Sequence, residues 1–67
     1  MDVYDFYNQL MRIHYEFFPY LRFGQLINNL EQWLRINKNI DDIFYIENKK
    51  ILEFLNEFGE SYGRKYT

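Results

Sequence analysis

Apolar and polar residues follow one another along this chain with a helical period, in three successive blocks. From Asp2 to Phe18, steps of ~100° per residue gather Asp5, Asn8, Gln9, Arg12 and Glu16 on one narrow side. The remaining circumference is apolar or aromatic. Val3, Phe6, Leu10, Ile13 and Phe17 form one flank, and Tyr4, Tyr7, Met11, Tyr15 and Phe18 form the other. Together they span roughly 200°, about twice the arc a helix needs to rest on a core. Asp2 is placed to cap the helix and Asp5 to complement its dipole, while Pro19 ends it.

A second helix is predicted from about Phe23 to Arg35, where Phe23, Leu26, Ile27, Leu30, Trp33 and Leu34 recur at helical spacing. Gly24 in its first turn weakens a helix, and close approach by another backbone is the reason to expect there. Asn37-Lys38-Asn39 supplies the stop. The run Ile43-Phe44-Tyr45-Ile46 favours a strand, yet no second strand is present to pair with it. An extended or 3₁₀ link that pins side chains into the core fits better. Glu47-Asn48 then opens a third helix from Lys49 to Phe58 or Tyr62, with Ile51, Leu52, Phe54, Leu55 and Phe58 as its stripe, which Tyr62 would extend. Gly59 or Gly63 breaks it, and residues 63–67 are read as a frayed tail. The expected fold is therefore an all-α, compact three-helix domain, one domain over residues 1–67.

Composition changes what this fold must do to be stable. A chain of 67 residues buries only ~60% of the surface its unfolded form exposes, and such domains usually need a staple. Cysteine is absent, which removes disulfides and thiolate metal ligands together. What remains is dense packing or self-association. Seven Phe, seven Tyr and one Trp suit both, because aromatic rings carry large apolar area. Two short companions are not expected to cover the broad apolar arc of the first helix, so a homodimer is predicted, with Tyr4, Tyr7, Met11, His14, Tyr15 and Phe18 as interface candidates.

Charge narrows the partner class. Net charge is −2 and the pI is near 5.2, against a basic nucleic-acid surface. A nucleic-acid reading would rest on Arg12, Arg22, Arg35 and Lys38 with stacking tyrosines. No apolar run is long enough to span a membrane, and the opening Met1-Asp2-Val3-Tyr4-Asp5 lacks a signal-peptide pattern, so a cytoplasmic location is expected. The absence of alanine beside abundant Ile, Asn, Phe, Tyr and Lys fits coding from an AT-rich genome.

Candidate chemistry is sparse. There is no cysteine nucleophile, Ser61 is far from the single His14, and no phosphate loop or metal-spaced motif occurs. The chain is read as non-enzymatic, with no cofactor and no metal. Asp41, Asp42 and Glu47 have the composition of a cation site, but Asp42 and Glu47 are more simply turn and helix caps. His14 has two readings: an imidazole packed and bonded to a carbonyl or tyrosine hydroxyl, or a pH-sensitive interface contact. Glu53, Glu57 and Glu60 share a helix face, which is either solvated surface or an acidic patch for a basic groove.

The stretch Leu21-Arg22-Phe23-Gly24-Gln25-Leu26-Ile27, with Asn29, and the later Asp42, Phe44-Tyr45-Ile46-Glu47 resemble a group of small bacterial and phage-encoded proteins of unknown function. The resemblance covers about residues 15 to 58 and implies a phage or prophage accessory protein. At the level of that class, it implies a module that binds a host protein, including host anti-phage defence systems, and alters its activity. In a structural reading of this pattern, Phe23, Leu26, Phe44 and Ile46 fill core while Gln25 and Glu47 cap backbone. Arg22, Gln25, Tyr45, Glu53 and Glu57 are the candidate partner contacts. A self-assembling homodimer without an outside partner is the principal alternative.

Overall fold

The first helix, α1, covers Val3–Phe17 and starts where the sequence places a cap. Asp2 is extended, and its Oδ1 accepts the Asp5 N–H at 2.8 Å, satisfying a donor that the first turn leaves orphaned. The computed structural model describes residues 1–63, so all but the first residue of the expected tail lies outside the described residues. At the other end Phe18 leaves the helical region, with its N–H still donating to the His14 carbonyl at 2.9 Å. Leu21 N–H then closes a turn onto the Phe18 carbonyl at 3.0 Å and redirects the chain into α2.

Helix α2 runs Phe23–Lys38, one turn beyond the predicted end at Arg35. Gln25 Oε1 reaches back to accept the Arg22 N–H at 2.9 Å, the capping role expected of it. Asn39 ends the helix in the left-handed region at φ 55°, and Ile40 N–H donates to the Leu34 carbonyl at 3.2 Å. Ile40 thereby folds back against the core, as helix stops of this kind commonly arrange. The short 3₁₀ turn η1, Ile43–Tyr45, matches the link expected between the second and third helices. Asp42 Oδ1 accepts the Phe44 N–H at 2.9 Å, so this aspartate is a turn cap. Helix α3 spans Asn48–Tyr62; Glu47 stands at its N-cap without a side-chain bond, and Gly63 closes it.

Both α1 and α2 pack on α3. Leu26, Leu30, Leu34 and Leu55 are sealed from solvent, and Phe6, Leu10, Phe17, Trp33, Leu52 and Phe58 close around them. Phe58 is the hinge of the aromatic part, stacked on Phe18 with centroids 5.0 Å apart and tilted against Trp33 at 5.5 Å. The Lys38 ammonium lies over the Trp33 ring, 5.6 Å from its centroid, and pairs with Glu57 at 2.8 Å. Among the described residues no polar side chain is buried, so the core needs no internal hydrogen-bond network.

Three expectations are corrected here. Nothing lies within 4 Å of the position a Gly24 Cβ would occupy, so that glycine allows no close approach. The close approach belongs to Gly59, where an added Cβ would stand 2.6 Å from Phe17 Cγ. Phe23 and Phe44, expected in the core, are exposed. Phe23 is the first residue of α2, and helical side chains lean towards the N-terminus, so its ring projects past the start of the packed region. In η1 the flanking Ile43 and Ile46 take the inward positions and turn Phe44 and Tyr45 to solvent.

Candidate contact surface on the first helix

The aromatic flank of α1 separates from the core in three dimensions. Phe6, Leu10 and Phe17 point inward, whereas Tyr4, Tyr7, Met11 and Tyr15 are 77, 60, 64 and 73% exposed. On a helix this stripe lies about 130° around from the buried direction, too far for α3 to shelter it. Its four residues form one line along nearly the whole helix. Tyr7 also meets the core, its ring edge-to-face with Phe6 at 5.2 Å.

His14 sits at the border between stripe and core, half-buried. Its Nε2 lies 2.8 Å from the Leu21 carbonyl oxygen, the arrangement of a packed imidazole that donates to a carbonyl. Its ring faces Phe23 across 6.4 Å. Tyr7, Leu10, Met11, His14 and Phe23 thus line a hollow of about 330 Å³ whose floor is Leu10 and whose rim is aromatic. Phe23 was not foreseen as part of this surface. The signal available was its place at the first position of α2, where the ring overhangs the helix start and not the core.

Phe18 departs from the expectation that it joins the exposed flank. It is 2% exposed and stacked on Phe58. The reason is backbone geometry: Phe18 lies after the last helical residue, so the angular step that groups it with Tyr15 no longer applies.

The remaining candidates do not converge. Arg22 and Gln25 are exposed at the start of α2, with Gln25 engaged in capping. Tyr45 is 81% exposed beside Phe44 at 80%, their rings edge-to-face at 5.0 Å on η1. Glu53 pairs with Lys50 at 3.3 Å and Glu57 with Lys38 at 2.8 Å, so the acidity of the α3 face is locally compensated. Two of the four basic candidates are compensated in the same way, because Arg35 approaches Asp41 at 3.8 Å and Lys38 is held by Glu57. A groove of about 570 Å³ between α1 and α3 is lined by Arg12, Glu16, Lys49 and Glu53, with charges of both signs, and by Met1, Ile13 and Leu52. Among the described residues no group of three or more His, Asp or Glu side chains is arranged to hold a metal ion, and no helix is long and apolar enough to cross a membrane.

No protein-family model matches the chain, and no curated protein or solved structure matches it significantly.

Proposed function

We propose that this protein is a non-enzymatic binding module that acts by contact, and that the Tyr4–Tyr7–Met11–Tyr15 face of α1 is its docking surface. The observation that carries this reading is the large apolar area left in solvent on one helix after the core has closed. Tyrosine and methionine are enriched where proteins meet, since they desolvate cheaply and adapt to the opposing surface. Asn8 borders the stripe on one side, and the mainly apolar hollow with His14 and Phe23 extends it on the other. Binding of this kind works by covering a partner's surface. On the resemblance to small phage-encoded proteins, the partner class is a host protein whose activity is modulated or blocked.

Site-specific photo-crosslinking tests the reading. A photoreactive residue at Tyr7 is expected to give discrete protein adducts in cells producing the chain, and one at the exposed Gln32 of α2 is expected to give none of them. Identical adduct patterns from the two positions would sink the proposal.

A further inference from the structure

We draw no further inference here: the strongest candidate, the exposed Tyr4–Tyr7–Met11–Tyr15 face of α1 with the hollow beside His14 and Phe23, belongs to the surface already described, and nothing in the structure shows what covers it.

Discussion

Two glycines inside helices have opposite surroundings, and substituting each reads out its environment. At Gly24 an added methyl meets open space and the backbone is ordinary helix, so Gly24→Ala should raise stability by about 0.5–1 kcal/mol through lost unfolded-state entropy. At Gly59 the same methyl collides with the buried Phe17 ring, so Gly59→Ala should lower stability by about 1–3 kcal/mol despite alanine's better helix propensity. Urea melts of the two variants check the pair, and equal effects would refute this description of the α1–α3 contact. The chain alone suggested the reverse, since Gly24 stands in a first turn and Gly59 near a helix end. Which glycine is crowded depends on the helix opposite, and nothing local encodes that.

At the level of elements, the ends of the helices were legible because caps are local chemistry. Asp2 before an apolar run, Gln25 three residues after Arg22, Asn39 after basic residues and Asp42 two before Phe44 each act within a few residues of backbone. Asp2→Ala should therefore cost about 1 kcal/mol, and Asn39→Val a similar amount from its left-handed φ, while Asn39→Gly should be neutral or better. Thermal melts followed by circular dichroism decide this; an Asn39→Gly variant as damaged as Asn39→Val would contradict the stated geometry. The periodic stripes were equally readable, with Phe6, Leu10, Leu26, Leu30, Leu34, Leu52 and Leu55 all inward. The misplacements of Phe18, Phe23 and Phe44 share a cause. Each lies at or beyond a helix terminus, where the ~100° step no longer gives side-chain direction.

For the whole molecule, the homodimer expected from the sequence predicts a melting temperature that rises with protein concentration, because association stabilises the folded chain by mass action. The Tyr7→Ser, Met11→Ser variant should melt at one temperature from about 5 to 200 µM, matching the wild type only at the dilute limit. A wild-type melt independent of concentration over that range would refute self-association. The exposed Phe44–Tyr45 pair on η1 is a second aromatic surface on a separate element.

Three helices, their caps and their inward stripes were determined by the sequence, since each depends on spacing or bonding within about one turn. The excess of apolar circumference on α1 was equally a property of the chain. Which part of that excess stays in solvent was decided only by the tertiary structure. The turn after Phe17 withdraws Phe18 into the core, α3 covers the Phe6–Leu10–Phe17 side, and the overhanging Phe23 extends the surface that remains. Those outcomes depend on where distant elements sit, and helical spacing holds no record of a neighbour's position.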